Sequence, residues 1–255
     1  MPDGRRRRYS PDVSLRALVQ FPAAALATLV SWVMIFLLSA RGRPLAAYEW
    51  VRWWARVLEA VTGVRHEVVG IENIPQASAC VVISNHCSHV DGPLLILALP
   101  APIYFVIKQE LTRIPVWGAT ALRVGFIAVD RSDSMRSRRQ LESAAEAVRG
   151  GRWVAVFAEG TRSRNGELLP FKKGGFRLAV DAQVPILPVA VNRSRRLMPK
   201  GALAARPGTV EIVIGQAIPT AGLSRGSVPE LAARTRRAIA DMRRRDPDFV
   251  DEGPG

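Results

Sequence analysis

In the stretch Cys80-Val-Val-Ile-Ser-Asn-His-Cys-Ser-His-Val-Asp91 a strand-like pattern ends and a helix-like pattern begins. The rest of the chain can be interpreted outward from this change. Its first five residues form a short apolar run typical of a buried strand, and Pro93 is typical of the first turn of a helix. His86 and Asp91 lie between the two. On a single helix or a single strand they would point apart, so they can meet only across the bend that this stretch predicts.

A His–Asp pair at such a bend suits general-base chemistry. The carboxylate can hold one imidazole nitrogen and leave the other free to accept a proton. On spacing alone, three alternatives stay open: Asp91 as a helix cap, a metal site that includes His89, and Cys87 as a nucleophile. No fourth metal-ligand cluster is evident, Cys87 directly follows His86, and no G-x-S-x-G elbow supplies a serine nucleophile.

From about Arg65 onward, short β-branched runs alternate with amphipathic segments. This alternation predicts an α/β fold with a mixed, largely parallel central sheet flanked by helices. The carboxyl ends of such strands are where active sites collect. The predicted strands are 66–69, 80–84, 103–107, 126–129, 153–157, 186–191 and 210–214. The predicted helices include 94–99, 136–149, 174–182 and 229–245.

Two further helices are predicted before the α/β part. The stretch 17–40 carries no charge and is long enough to cross a bilayer core of about 30 Å. A cleavable signal peptide is the alternative, because the basic run 5–8 precedes it. Trp50, Trp53 and Trp54 then lie on one face of a second helix, which suits either the headgroup layer or packing on the globular domain. Basic residues on both sides of 17–40 leave its orientation open, so insertion of both helices into one leaflet fits as well as a span.

Composition limits the classes of partner and the cellular compartment that we expect. The formal charge of +14, from 36 basic and 22 acidic residues, suits nucleic acid, anionic lipid or an acidic carrier. No nucleic-acid-binding motif is present, so we expect no nucleic acid partner. Cys80 and Cys87 flank one predicted strand and cannot bridge, which favours a reducing, cytoplasm-facing compartment. We therefore expect membrane-associated helices (1–64), an α/β domain (65–245) and a frayed tail (246–255).

Four blocks occur in an order that matches a known family. They are 85–91; 108–111 continued through Pro115 and Gly118 to 125–131; 157–163 continued by 171–176; and 184–189. Over roughly residues 66–215 the chain resembles the phospholipid acyltransferases, particularly the 1-acylglycerol-3-phosphate (lysophosphatidate) acyltransferases. Ala158 stands where that family usually has proline, and we expect this departure to loosen the turn. His89 and Val90 replace residues that are often aromatic or large, which bears on the choice of acceptor.

The resemblance implies an enzyme that moves an acyl chain from a thioester to the free sn-2 hydroxyl of 1-acylglycerol-3-phosphate, giving phosphatidate. His86 would be the general base and Asp91 its orienting partner. Arg131 and Arg162 would bind the acceptor phosphate, with Lys108 as a weaker third cation. Glu159, Gly160 and Thr161 would form an acceptor-binding turn, in which Glu159 accepts from a glycerol hydroxyl or holds Arg131 or Arg162 in place.

The same resemblance sets the expected partners. No metal and no cofactor is expected; acyl-CoA or acyl-ACP (acyl carrier protein) would be the co-substrate, and an anionic lysophospholipid in the membrane the acceptor. The protein would act at the cytoplasmic face of the cell membrane. Two alternatives stay open: an acyltransferase for another lysolipid, such as lyso-ornithine lipid, and a non-catalytic membrane-binding protein. The second has no need of an intact His86, Asp91, Glu159 and Arg162.

Overall fold

The computed structural model describes residues 11–76, 79–130, 134–247 and 249. The strands are β1 (Val64–Val69), β2 (Val81–Ser84), β3 (Ile103–Lys108), β4 (Ile127–Val129), β5 (Trp153–Phe157), β6 (Ile186–Asn192) and β7 (Gly208–Ile214). The helices are α1 (Pro11–Ala40), α2 (Pro44–Thr62), α3 (Asp91–Ala98), α4 (Trp117–Val124), α5 (Ser134–Arg149), α6 (Gly174–Ala182), α7 (Ser194–Leu197) and α8 (Val228–Arg243). Short 3₁₀ turns span Ile71–Asn73, Gln109–Arg113 and Arg225–Ser227.

The strands form one seven-stranded sheet in the order β1-β7-β6-β2-β5-β3-β4. All neighbours are parallel except β6 and β7, so β1 and β7 run against the other five strands. The four residues of β2, at the centre, are all buried, as expected of a strand covered on both faces. The predicted class, a mixed and largely parallel sheet flanked by helices, is confirmed.

Two apolar cores lie on opposite faces of the sheet. One packs α2, α3 and α4 against the strands, and the other packs α5, α6 and α8. Burial of β-branched side chains on both faces explains why short runs such as 153–157 predict strands without alternation. The carboxyl ends of β2, β5, β3, β4 and β6 share one edge, which places the loops that follow them side by side.

The first two helices form an antiparallel hairpin. Ser31 Oγ donates to the Trp50 carbonyl at 2.9 Å, and Trp54 Nε1 donates to Thr28 Oγ1 at 3.0 Å. The other face of α2 enters the first core, where Tyr48 is 2% exposed. Packing on the globular domain is therefore the arrangement observed for α2. The predicted domain boundary at residue 64 does not correspond to a break in packing.

Among the residues that the structure describes, one helix is long and apolar enough to cross a membrane: Leu15–Ala40, within α1. Most of this helix is not covered by the rest of the protein. Its uncovered apolar side chains include Leu15, Leu18, Val19, Phe21, Leu26, Leu29, Val30, Val33, Phe36 and Leu37. Its covered side reaches the domain at two distant points: Gln20 pairs with the backbone of Ala205, and Arg123 of α4 stacks on the Phe36 ring.

The expected frayed tail is wrong at its first residue. Asp246 is 3% exposed and pairs with Arg243, itself 1% exposed, at 2.7 Å. The guanidinium of Arg243 also lies over the Phe249 ring, 5.1 Å from its centre. Burying a guanidinium is favourable only with good partners, and Asp246 supplies the charged one. Residues 250–255 lie outside the described part of the chain.

Candidate active site

The loop between β2 and α3 brings His86 and Asp91 together across the predicted bend. His86 Nδ1 and Asp91 Oδ2 are 2.8 Å apart. The same oxygen accepts from the backbone N–H groups of Cys87 and Ser88, both at 2.8 Å. Asp91 is fully buried. Three donors on one buried oxygen hold the carboxylate in place. The N–H donors belong to the loop before α3, and the N-cap of α3 is Val90 without a side-chain cap bond, so the structure supports the pairing role of Asp91 and not the capping alternative.

The His86 ring is held on its face as well as its edge. It stacks on Phe157, with 3.9 Å between ring centres and 11° between planes. Its side chain is 20% exposed, and Nε2 has no hydrogen-bond partner among the described residues. With Nδ1–H donated to Asp91, the free Nε2 carries the lone pair. This is the geometry that a general base requires.

Glu159 lies behind the loop that carries His86. Its Oε1 accepts from the His86 N–H at 2.8 Å, and its Oε2 accepts from the Leu169 N–H at 3.1 Å. Burial raises the pKa of this carboxyl to about 7, opposed by the two backbone donors and by the charge of Arg243. The side chain is 2% exposed. Its geometry supports bracing of the His86 loop instead of the expected contact with the acceptor or with an arginine.

The turn after β5 follows Glu159. Gly160 has a positive φ of 71°, a backbone conformation that favours glycine, and its N–H donates to the Phe157 carbonyl at 3.0 Å. Two residues beyond Thr161, the Ser163 N–H donates to the His86 carbonyl at 2.8 Å. The turn is thereby joined directly to the His86–Asp91 loop, so the first and third motif blocks meet in one site.

Ala158 does not loosen this turn. Its N–H donates to the Ser84 carbonyl at 3.0 Å and extends the β2–β5 pairing by one bond. Its carbonyl accepts from the Lys172 N–H at 2.7 Å. Proline has no N–H and could not make the first of these bonds. The expectation of a looser turn is wrong for this reason.

Arg162 lies close enough to Asp91 and His89 to interact electrostatically with both. Burial lowers the pKa of its guanidinium, and the Asp91 carboxylate opposes that effect. Partial burial and then the Arg162 charge lower the pKa of His89. The Nη1 atom is shielded from solvent and has no hydrogen-bond partner among the described residues. A guanidinium donor so placed is suited to binding an anion.

A second predicted cation, Lys108, has its charge paired elsewhere. Lys108 Nζ pairs with Glu110 at 2.9 Å on the surface, where both side chains are half exposed. Arg131 lies outside the described residues, directly after Asp130 at the end of β4. Within the described part of the chain, no group of three or more His, Cys, Asp and Glu side chains is arranged to hold a metal ion. Cys80 and Cys87 are both free thiols.

Several contacts that position the site have no signal in the local sequence pattern. The Asn85 amide pairs twice with the backbone of Val191, at 2.8 and 3.0 Å, and joins β2 to β6 beside the catalytic loop. Ser88 Oγ donates to the Met198 carbonyl at 2.7 Å. Each partner is more than 100 residues away in sequence. Only the β2–β6 adjacency brings them together.

An apolar cleft opens beside the catalytic loop. Its volume is about 180 Å³, and it lies between α1, α2, α3 and the segment 198–205. Phe21, Leu58, Leu94 and Leu203 contribute to its wall, and His89 lies at its border. The cleft therefore lies between α1 and the His89–Val90 part of the loop that also carries His86.

Comparisons with known proteins agree with this site. The acyltransferase family model matches residues 65–192. A 1-acyl-sn-glycerol-3-phosphate acyltransferase of Pseudomonas aeruginosa is 35% identical over 76% of this chain and 74% of its own. The human 1-acyl-sn-glycerol-3-phosphate acyltransferase beta is 33% identical over 92% of this chain and 83% of its own.

A solved structure extends the likeness to the whole architecture. The crystal structure of the 1-acyl-sn-glycerophosphate (LPA) acyltransferase PlsC from Thermotoga maritima aligns with a TM-score of 0.77 and 26% identity. The alignment covers 89% of this chain and 93% of that one. With its sheet, its His86–Asp91 loop and these matches taken together, the chain belongs to the acyltransferase family.

Proposed function

We propose that the protein acylates the sn-2 hydroxyl of 1-acylglycerol-3-phosphate to give phosphatidate, with an acyl-thioester as donor and His86 as general base. One observation carries the proposal: His86 is fixed by Asp91 with its Nε2 unbonded, and Arg162, which interacts electrostatically with Asp91 and His89, has a buried Nη1 without an acceptor among the described residues. A proton acceptor beside an anion-binding group suits an alcohol that carries a phosphate. The names of the relatives support the same substrate.

The chemistry needs no covalent enzyme intermediate, because a thioester is already activated. The hydroxyl oxygen attacks the thioester carbonyl carbon while His86 Nε2 takes its proton. The C–S bond then breaks, and the imidazolium returns the proton to the leaving thiolate. Asp91 stabilises the positive ring between these steps, because its buried carboxylate stays 2.8 Å from Nδ1. Coenzyme A or acyl carrier protein would be the thiol carrier, without a cofactor.

Membrane association follows from where the acceptor resides. Gln20 and Phe36 of α1 both contact the catalytic domain, and 16 residues of helix separate them by about 24 Å. A helix held against the domain near both ends cannot leave it to cross a bilayer alone. We propose that α1 lies in one leaflet, at the cytoplasmic face, with its uncovered side in the acyl chains. The apolar cleft beside α1 would receive an acyl chain.

The test uses the full-length protein in detergent micelles with acyl-CoA and acyl-ACP against a panel of lysolipids. We expect phosphatidate from lysophosphatidate. We also expect His86→Ala to lose at least about 100-fold in kcat, as loss of a general base predicts. His66→Gln, at a histidine outside the site, is the matched control and should keep activity. Full activity of His86→Ala would refute the mechanism, and preferred acylation of lyso-ornithine lipid would replace the acceptor.

A further inference from the structure

The acceptor turn has a second basic neighbour, which none of the four motif blocks contains. Lys200 follows α7, and its Nζ donates to Thr161 Oγ1 at 3.2 Å and to the Arg162 carbonyl at 3.1 Å. We propose that Lys200 is part of the acceptor site and selects a phosphate monoester. This inference rests on the proposed function and assigns the residue that reads the charge of the acceptor.

The segment that carries Lys200 is fixed to the catalytic loop. The Met198 carbonyl accepts from Ser88 Oγ, three residues before Asp91. The Ala202 N–H donates to the Pro199 carbonyl and closes a turn around Lys200. The ammonium therefore reaches the acceptor turn from a backbone that is itself tied to the His86 loop. Its position relative to the reacting hydroxyl is set by the fold.

Charge balance points to an anionic ligand. Lys200 and Arg162 form no ion pair with a carboxylate in the described part of the chain. Lys108, by contrast, is neutralised by Glu110. Two cations therefore meet at this turn without a carboxylate partner among the described residues, and Arg162 has the buried Nη1. Two positive charges match a monoester phosphate, which carries close to two negative charges, better than they match a diester, which carries one.

Lys200 keeps one N–H donor that can bind the acceptor phosphate. An ammonium has three N–H donors, and the bonds to Thr161 and Arg162 use two of them. The third can bind a phosphate oxygen. Thr161 Oγ1, which accepts from Lys200, keeps its own O–H donor for the same ligand. The sequence prediction for Thr161 as an acceptor contact thus gains a basic partner from a distant segment.

The test compares two acceptors with the same acyl chain and the same mole fraction in micelles: lysophosphatidate and lysophosphatidylglycerol, a diester. Lys200→Met should lower kcat/KM for lysophosphatidate about 10- to 100-fold, mainly through KM, as loss of one charge-assisted bond predicts. The loss for the diester should stay below about 3-fold. Lys200→Arg, which keeps the charge, should recover most of the activity. Arg237→Met, on the exposed surface of α8, controls for the change in net charge.

The outcomes separate the two proposals. Wild-type protein that acylates lysophosphatidate while Lys200→Met loses equally on both acceptors, or loses nothing, would overturn the role of Lys200 alone. In the first case Lys200 is only a tether for the acceptor turn. Wild-type protein that fails on lysophosphatidate with both donors would overturn the proposed function and this inference with it. Inhibition by free glycerol 3-phosphate gives a second readout: its Ki should rise in Lys200→Met and not in Arg237→Met.

Discussion

Replacement of Asp91 by asparagine tests whether the buried carboxylate acts through its charge or only through its position. The side chain keeps its shape, and its amide oxygen can still accept from His86 Nδ1–H and from the Cys87 and Ser88 N–H groups. The negative charge is lost. We therefore expect the loop to keep its conformation while the imidazolium formed during transfer loses its stabilising partner.

The size of the effect follows from the distance between the two groups. With Nδ1 and Oδ2 at 2.8 Å, the charge centres lie about 4 Å apart, where opposite charges attract by about 4 kcal/mol at an effective dielectric constant near 20. Asp91 is fully buried, so solvent screens this attraction little. Loss of that stabilisation in the transition state predicts a fall in kcat of about 1,000-fold.

Folding should suffer less than catalysis. Three hydrogen bonds to a charged acceptor become bonds to a neutral one, at a cost of about 1 kcal/mol each. The Asp91 Oδ1 position, where the new NH₂ group would lie, is buried without a partner. A neutral amide is easier to bury than a carboxylate, which offsets part of this cost. We expect a loss of about 1–3 kcal/mol in the free energy of unfolding.

The assay pairs initial rates at saturating acceptor with thermal unfolding in the same detergent. Asp91→Asn that keeps more than a tenth of wild-type kcat would refute the electrostatic role, and His86 would then need only the geometry of its loop. Asp91→Asn that no longer folds would leave the question to Asp91→Glu, which keeps the charge but shifts it. That variant should retain more activity than Asp91→Asn if charge is the deciding term.

Three further predictions concern the frame of the site. Native Glu159 keeps its proton to about pH 7, whereas the unfolded side chain loses it near 4.5; the free energy of unfolding should therefore fall by about 3 kcal/mol as pH rises between these values. Glu159→Gln should lack that slope in thermal unfolding, and equal slopes would contradict the assignment. Gly175→Ala would place a methyl carbon 2.9 Å from the Ile83 side chain and should lower the free energy of unfolding by about 1–3 kcal/mol. The adjacent Gly174→Ala meets only an ordinary contact with Leu141, at 3.6 Å, and should not destabilise the protein. Similar unfolding temperatures of the two variants would refute this prediction. Gln20→Ala leaves both backbone groups of Ala205 without their partner and should cost about 2 kcal/mol, measured by thermal unfolding; an unchanged midpoint would mean that α1 is not held there.

The strands were predictable because burial on both faces leaves a strong local trace. All seven predicted strands occur, each within two residues of its expected bounds. Helix α4 was not predicted, because it is short and begins after Val116, whose φ of 68° places a β-branched residue in a rare conformation. No propensity scale anticipates a strained residue that the surrounding fold imposes. Its neighbours Thr112 and Gly118 pack so closely that a Cβ on the glycine would lie 2.1 Å from the Thr112 carbonyl oxygen.

The site was predictable where its parts are close in sequence and not where they are distant. His86 and Asp91 are five residues apart, and a strand end followed by a helix start is enough to bring them together. Lys200 meets Thr161 from 39 positions away. Such contacts depend on the sheet order, and the residues carry no periodicity that reveals it. The bracing role of Glu159 was hidden for a different reason: a motif identifies a residue without telling which way its side chain points.

The strand directions explain why the two N-terminal helices lie beside the His86–Asp91 loop. Because β1 and β7 run against the other strands, the first residue of β1 lies at the edge where β2 and β5 end. Helix α2 enters β1 directly through Gly63, so the helical hairpin is attached at the His86 edge of the sheet. A wholly parallel sheet would attach it at the opposite edge, one strand length of about 20 Å away. The reversed pair thus places the apolar surface of α1 where an acceptor held in lipid has the shortest path to His86.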